Sequence, residues 1–231
     1  MTENEMPRNI IESGFEDEGG IKERAEREGI TEAEWRARNL PSHPITFRWK
    51  YANKTIQLYE RRLHSLRDFH VGPALQAWVR SRLEWVADNK LYELRNGVIV
   101  LSIDPEGDVD INLEEPVDAP VFTEDELVVE NAKLKGMEVP GTLWLARDKH
   151  LVALSEGDRL CHAADTLVRD LATTLKFTVD VHETADAALL EDAHLELFSV
   201  SDEFGVVPCQ GHVGPVVRKM DACFTRLWTL E

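Results

Sequence analysis

Thiol and imidazole side chains occur in two short groups in the second half of this 231-residue chain. Cys209 and His212 are separated by two residues, a spacing that can place both side chains on one metal ion. Cys161 and His162 are adjacent. A zinc site takes four ligands in tetrahedral geometry, and nothing local in the sequence brings the two groups together. The sequence therefore assigns no set of metal ligands. A thiol-dependent or metal-binding function is one hypothesis, and two others follow below.

The composition excludes some classes of partner. The formal net charge is −17, with 43 acidic residues against 26 lysines and arginines. Such a charge repels nucleic-acid phosphates and anionic lipid, so we expect neither nucleic acid nor a membrane as a partner. No apolar run approaches the roughly 20 residues that span a bilayer, and no signal peptide is recognisable. Three cysteines are an odd and sparse set, which favours reduced thiols in a cytoplasmic protein.

Hydrophobic periodicity predicts an α/β (α+β) protein in three parts. Residues 1–43 form an acidic and partly mobile arm, within which Thr31 and Glu34 have the spacing of a helix capping box. Residues 44–115 form a small N-terminal α/β unit, with a helix over residues 72–89 and a hairpin around the turn at residues 104–107. A linker precedes a larger C-terminal mixed-sheet domain over residues 120–231.

Five segments of the C-terminal part resemble class IV (fold type IV) aminotransferases and the aminodeoxychorismate lyases related to them. They occur in the order of that family and at nearly its spacing. Weaker similarity includes Arg62-Leu63 and extends the resemblance over about residues 44–228. It implies a two-domain α/β fold, a homodimer, and the cofactor pyridoxal phosphate (PLP) bound between the domains. The five segments are Gly141-Thr142-Leu143-Trp144-Leu145, the helix 166–172, the stretch 189–198, Gly205-Val206-Val207-Pro208, and Gly214-Pro215-Val216-Val217-Arg218.

The lysine that would form the Schiff base with PLP has no counterpart at the expected place. In the family it lies ahead of the strand matched here by residues 126–129, and no lysine occurs between Lys90 and Lys133. Lys90 is a weak candidate at the end of a predicted helix. Lys133 and Lys135 are expected in the turn between two strands, where the family has no catalytic residue. The segment that carries the lysine therefore looks deleted.

The residues that would surround the cofactor also depart from the family pattern. Glu138 lies near the position of the carboxylate that faces the pyridine nitrogen, but one residue too close to Gly141. The phosphate-binding loop of the family has no counterpart in residues 161–165, and Asp202 stands where the family has a threonine or serine. A carboxylate there repels a phosphate, by about 1 kcal/mol per pair of unit charges in water at contact. By resemblance the cofactor cleft would be lined by Glu138, Thr142, His162, Ala163, Ala164, Ser201 and Asp202.

These departures favour a non-catalytic or repurposed relative that keeps the fold and binds a small molecule. The alternative is an active PLP-dependent aminotransferase or aminodeoxychorismate lyase with an atypical site. The third hypothesis is the thiol or metal-binding protein introduced above. The resemblance implies a homodimer under the first two hypotheses.

Overall fold

A computed structural model describes residues 8–12, 20–91, 95–121, 128–130, 133–135, 141–155, 157, 159–183 and 194–228. The chain divides into two compact units, Met1–Pro116 and Val117–Glu231. Each unit combines helices with a five-stranded sheet, so the protein has the mixed α/β architecture that the hydrophobic pattern predicts. Among the described residues, no helix has the length and apolar character needed to cross a membrane.

The sheet of the first unit is antiparallel throughout, in the strand order β1-β5-β4-β2-β3. Strands β2 and β4 pair along their full length, from Ile45 opposite Ile103 to Ala52 opposite Asn96. The hairpin of β4 and β5 follows the predicted turn, in which the Asp104 side chain accepts the amides of Gly107 and Asp108. The strands are β1 Arg8–Glu12, β2 Ile45–Ala52, β3 Thr55–Ile56, β4 Asn96–Ile103 and β5 Val109–Glu114.

Within the described residues of the first unit, four α-helices and one short 3₁₀ helix accompany this sheet. The longest, α4, begins at Pro73, where a missing amide proton costs nothing, and buries the predicted stripe that includes Leu75, Val79 and Leu83. The sequence pattern predicts one helix over residues 59–68, but the structure divides it, because α3 ends at Ser65 and the 3₁₀ helix follows. The helices are α1 Ile21–Glu28, α2 Glu32–Asn39, α3 Tyr59–Ser65, the 3₁₀ helix Leu66–Phe69, and α4 Pro73–Asn89.

Part of the segment predicted to be an appended arm contributes to the core of the first unit. The capping box is present at the start of α2, with Thr31 and Glu34 each bonding the backbone amide of the other. Helices α1 and α2 bury Ile21, Ala25 and Trp35 in the same cluster as the sheet residues. Segment 13–19, the part expected to be mobile, lies outside the described residues, and the predicted domain boundaries stay a prediction.

The second unit holds a mixed sheet in the order β10-β9-β8-β11-β12. Strands β9 and β10 are parallel, and the other neighbours are antiparallel. A separate two-stranded hairpin is formed by β6 and β7. The elements are β6 Val128–Glu130, β7 Lys133–Lys135, β8 Thr142–Arg147, β9 His150–Leu154, α5 Ala163–Thr174, β10 Thr178–His182, β11 Glu196–Ser201, β12 Gly205–Pro208 and α6 Pro215–Trp228.

Two predictions about this unit are wrong in detail. Lys133 and Lys135 lie in strand β7 and not in a turn, because β7 pairs with β6. The apolar periodicity predicts a helix from Asp158, but α5 begins only at Ala163, because His162 before it has extended backbone angles. The sequence also predicts a short helix over residues 185–192. This segment and the carboxylate candidate Glu138 lie outside the described residues.

Candidate functional site

Strand β8 begins at a point where only glycine fits. Gly141 has φ +121°, and a Cβ atom built there would overlap the carbonyl oxygen of Val200 on β11. The close approach lets Thr142 pair with Val200 and Trp144 pair with Phe198. Since side chains alternate along a strand, Thr142 and Trp144 lie on the same face of the sheet. The Trp144 ring stacks on the Phe198 ring at 6.0 Å between centroids, which fixes the indole.

Both side chains donate a hydrogen bond to the same carboxylate of helix α5. Thr142 Oγ1 donates to Asp165 Oδ2 at 2.6 Å, and Trp144 Nε1 donates to Asp165 Oδ1 at 2.9 Å. Asp165 is only 1% exposed. It lies on the apolar face of α5, three and seven residues before Val168 and Ala172, which are also buried. Asp165 therefore links the first turn of α5 to strand β8.

Burial changes the acidity of this carboxylate. Removal from water disfavours the charged form and raises the pKa of Asp165 from 3.8 to about 6. The hydrogen bond from Thr142, the charge of His162 and the bond from Trp144 act in the opposite direction, and the nearby Asp202 charge adds to the increase. A protonated, neutral Asp165 remains compatible with the geometry, because the Thr142 hydroxyl can rotate and accept a hydrogen bond from the carboxyl group.

The first turn of α5 is capped by a carboxylate from elsewhere in the chain. The N-cap residue of α5, His162, has an extended backbone with φ −82° and ψ 148°, and its own side chain makes no capping hydrogen bond. Asp202, in the turn between β11 and β12, accepts a 2.8 Å hydrogen bond on Oδ1 from the amide of Ala164. Asp202 is 5% exposed. Its negative charge thus occupies the positive end of the helix dipole.

His162 forms an ion pair with the same carboxylate. Its Nδ1 atom lies 3.6 Å from Asp202 Oδ2, and its side chain is 42% exposed. Burial of the ring opposes protonation, but the hydrogen bond and charge of Asp202, with the charge of Asp165, outweigh it, so the pKa of His162 is raised. The three side chains form a compact charged group at the start of α5, with two carboxylates and one imidazole.

The other residues of the predicted cleft have structural contacts. Ser201 Oγ accepts the amide of Phe204 at 3.0 Å, which closes the β11–β12 turn next to Asp202. Ala163 and Ala164 are fully buried in the first turn of α5. Ser199, two residues before Ser201, is fully buried in β11.

A second helix of this unit is capped in the same way. Glu196, the first residue of β11, accepts the amides of Val216 and Val217 on its two carboxylate oxygens, at 3.3 and 2.8 Å. A Cβ atom on Gly214 would overlap the Glu196 carboxyl group, which explains the glycine of the Gly214-Pro215 motif. Both long helices of the unit therefore begin against a carboxylate that the β11 region supplies.

The lysines that follow β8 in the chain lie away from this group. Lys149 lies in the turn after β8, roughly 16 Å along the strand from Thr142. Lys176 follows the C-terminal end of α5, which is roughly 18 Å long. Lys219 places its Nζ atom 5.9 Å from the centre of the Phe177 ring, next to Lys176. Lys90 caps the end of α4 in the first unit.

The structure gives local roles to the thiol and imidazole pairs. Cys209 is fully buried, and its amide bonds Leu197 O at 2.9 Å. His212 Nδ1 lies 2.9 Å from Leu195 O. Within the described part of the chain, no three His, Cys, Asp or Glu side chains are grouped so that they could hold a metal ion.

The structure brings together four residues named from the sequence and adds two that were not. Thr142, His162, Ala164 and Asp202 all belong to the network at the start of α5. Asp165 and Trp144 also belong to this network, although the sequence did not point to them as site residues. The signal for Asp165 was present, since a carboxylate occurs on the apolar face of a helix, where an unpaired charge is costly.

Comparison with solved structures shows that the fold is similar to those of several aminotransferases and aminodeoxychorismate lyases. A 4-amino-4-deoxychorismate lyase from Pseudomonas aeruginosa aligns with a TM-score of 0.58 at 17% identity, covering 80% of this chain and 90% of its own. A hypothetical aminotransferase from Mycobacterium tuberculosis in its PLP-bound form gives 0.58 at 12%, covering 81% and 89%. The branched-chain amino acid aminotransferase of Escherichia coli gives 0.55 at 12%, covering 80% and 86%. No protein-family model and no curated protein sequence matches the chain.

Proposed function

We propose that this protein is a non-catalytic or repurposed relative of the class IV aminotransferases, which keeps their fold and binds a small ligand without PLP chemistry. The fold is that of the class IV aminotransferases and aminodeoxychorismate lyases. The observation that carries the proposal is the hydrogen bond from the Ala164 amide to Asp202. It uses the start of α5, where the sequence resemblance puts the cofactor phosphate.

The residues at this position do not fit a phosphate dianion. A helix N-terminus binds phosphate through free backbone amides and a positive dipole. Here Asp202 accepts one of these amides, and Asp165 adds a second buried carboxyl group in the same turn. Each pair of unit negative charges at 4 Å costs about 4 kcal/mol at the effective dielectric constant near a protein surface. His162 offsets only part of this repulsion, because it is already paired with Asp202.

The positions of the lysines support the same proposal. A Schiff base requires a lysine amine beside the aldehyde carbon of the cofactor. Lys149 and Lys176 lie beyond the ends of β8 and α5 that are far from Thr142 and His162. Lys219 lies against the Phe177 ring, next to Lys176. Together with the chain segment that looks deleted before residue 126, this leaves no lysine assigned to the reaction.

An absorption spectrum with added PLP tests the proposal. We expect no visible band from a Schiff base, and no cofactor retained on one lysine after borohydride reduction and peptide mapping. Pyridoxal, which lacks the phosphate, serves as the control for nonspecific reaction with surface lysines. Selective trapping of PLP on a single lysine, with pyridoxal unreactive there, would mean an active aminotransferase or lyase and would refute the proposal.

The location and the oligomeric state of the protein are part of the proposal. We propose a cytoplasmic homodimer, because the resemblance implies the dimer and the three cysteines are free thiols in the structure. Light scattering on the purified protein would show twice the chain mass of 26.3 kDa. A mass of a single chain at micromolar concentration would contradict the dimer.

A further inference from the structure

A solvent-open groove of about 260 Å³ lies in the first unit, between α3 with the following 3₁₀ helix and the first two turns of α4. Leu63 forms part of its apolar surface, together with Pro73 and Ala77 of α4. Leu63 is buried, whereas Pro73 and Ala77 are exposed. The groove thus offers a small apolar surface to a ligand from solution.

Three of the four polar side chains that line the groove are basic, and the fourth, Gln76, donates to Val71 O. Arg67 lines the groove, and its Nε atom donates a hydrogen bond to His64 O at 3.4 Å. Among the described residues, the two terminal nitrogens of Arg67 have no carboxylate partner. A guanidinium group binds a carboxylate through two parallel hydrogen bonds. This arrangement requires two N–H groups on one side of the planar group that have no other acceptor.

His64 is the second basic group of the groove. Its Nδ1 atom lies 2.8 Å from Glu60 O, and since a carbonyl oxygen can only accept, Nδ1 carries the proton. Nε2 has no hydrogen-bond partner among the described residues. The imidazole is therefore held in place by its own helix and leaves one nitrogen for a ligand.

The remaining cation of the groove is already neutralised. Arg80 donates two hydrogen bonds of 2.9 Å to the two oxygens of Glu60. This pair lies at one end of the groove, so the unbalanced positive charge belongs to Arg67. The groove also adjoins the N-terminal end of the 17-residue helix α4, where the helix dipole is positive.

The local sequence reverses the charge of the chain as a whole. The chain carries −17, yet residues 59–82 contain only two acids, Glu60 and Asp68, against five arginines. A strongly acidic protein keeps small anions away from most of its surface. A locally basic groove with an apolar floor selects an anion that carries an apolar body. The five arginines are Arg61, Arg62, Arg67, Arg80 and Arg82.

We propose that this groove binds a small monocarboxylate with an apolar body, with the carboxylate on Arg67 and the body on Leu63, Pro73 and Ala77. The volume is just below the range of about 300–1,000 Å³ that is usual for small-molecule sites, so the ligand is small. The site lies in the first unit and does not depend on whether the start of α5 holds a cofactor.

Titration of the full chain with benzoate, followed by backbone amide NMR, tests the site. Benzoate supplies a carboxylate on a flat apolar ring, and benzamide is the neutral control of the same shape. We expect saturable shifts confined to the amides of residues 63–67 and 74–80 with benzoate, and at least about tenfold weaker binding of benzamide. Equal binding of the two compounds, shifts elsewhere, or no shift at millimolar benzoate would overturn the proposal.

Three variants locate the two parts of the site. Arg67→Ala should weaken benzoate binding about tenfold, and Arg67→Lys should recover only part of it, because an ammonium group lacks the planar edge. Ala77→Leu fills the groove at an exposed position without changing charge and should abolish binding. Arg82→Ala, a charge change on α4 outside the groove, should leave binding unchanged. If Arg82→Ala weakens binding as much as Arg67→Ala, the effect is one of net charge and the site is refuted.

Discussion

The Oδ1 atom of Asp202 accepts a 2.8 Å hydrogen bond from the backbone amide of Ala164, 38 residues earlier in the chain. The contact fixes the β11–β12 turn to the first turn of α5. A helix normally receives its N-terminal cap from the residue just before it. Here His162 holds that position without capping, so the cap is a tertiary contact.

Removal of this cap is expected to destabilise the protein. Asp202→Ala leaves the Ala164 amide buried without its acceptor and should lower the free energy of unfolding by about 1–2 kcal/mol. Asp202→Asn keeps an acceptor but not the charge and should cost less. Urea denaturation at neutral pH measures both. Asp170→Ala, on the exposed side of the same helix, is the matched control, and an equal loss there would contradict a capping role.

Asp165 should make stability depend on pH. The folded chain keeps the Asp165 proton up to pH about 6, whereas the unfolded chain releases it near 3.8. The folded state thus holds more protons between these values, so the free energy of unfolding falls as pH rises through them. At 1.36 kcal/mol per pKa unit, Asp165 contributes a loss of at most about 3 kcal/mol.

The variant Asp165→Asn isolates this contribution. The amide can accept from Trp144 and donate to the rotated Thr142 hydroxyl, so the packing survives. We expect the variant to match the wild type near pH 4 and to exceed it by about 1–3 kcal/mol at pH 8. Denaturant unfolding across this range measures the difference, with Asp170→Asn as the control. A difference that is constant with pH would show that Asp165 does not titrate there.

The charge of Asp202 should control the titration of His162. Since the Asp202 carboxylate helps to raise the pKa of His162, its replacement in Asp202→Asn should lower that pKa. NMR titration of the imidazole protons measures the change directly. His150, which pairs with Asp180 at 2.7 Å in a different part of the sheet, should be unaffected. An unchanged His162 titration would contradict the ion pair.

Gly141 should tolerate no side chain. Gly141→Ala meets a positive φ and an overlap with the Val200 carbonyl, so β8 and β11 must separate where Thr142 begins the network. We expect a loss of about 2–4 kcal/mol, measured by thermal or urea unfolding. Gly29→Ala shares the positive φ but has open space around the new Cβ, and should lose only about 1 kcal/mol. Equal losses would remove the overlap as the cause.

Local patterns in the sequence predicted most elements, because each is encoded by neighbouring residues. The capping box of Thr31 and Glu34 marks the start of α2, and alternation over residues 109–114 marks β5. Element boundaries failed where a distant residue decides them. Helix α5 begins five residues later than its periodicity suggests, at the amides that Asp202 caps.

The sequence by itself determined the acidic composition and many of the helices and strands. Its resemblance to a known family gave the expected fold type and the expectation of a hydroxyl residue where Asp202 stands. It could not determine what Asp202 does, because its partner Ala164 is distant in the chain and is a backbone group. Only the tertiary structure showed that Asp165 is buried between Thr142 and Trp144, and that a carboxylate fills the start of α5. The physical reason is that hydrogen bonds between distant segments leave no periodic trace in the sequence, whereas burial along a single helix or strand does.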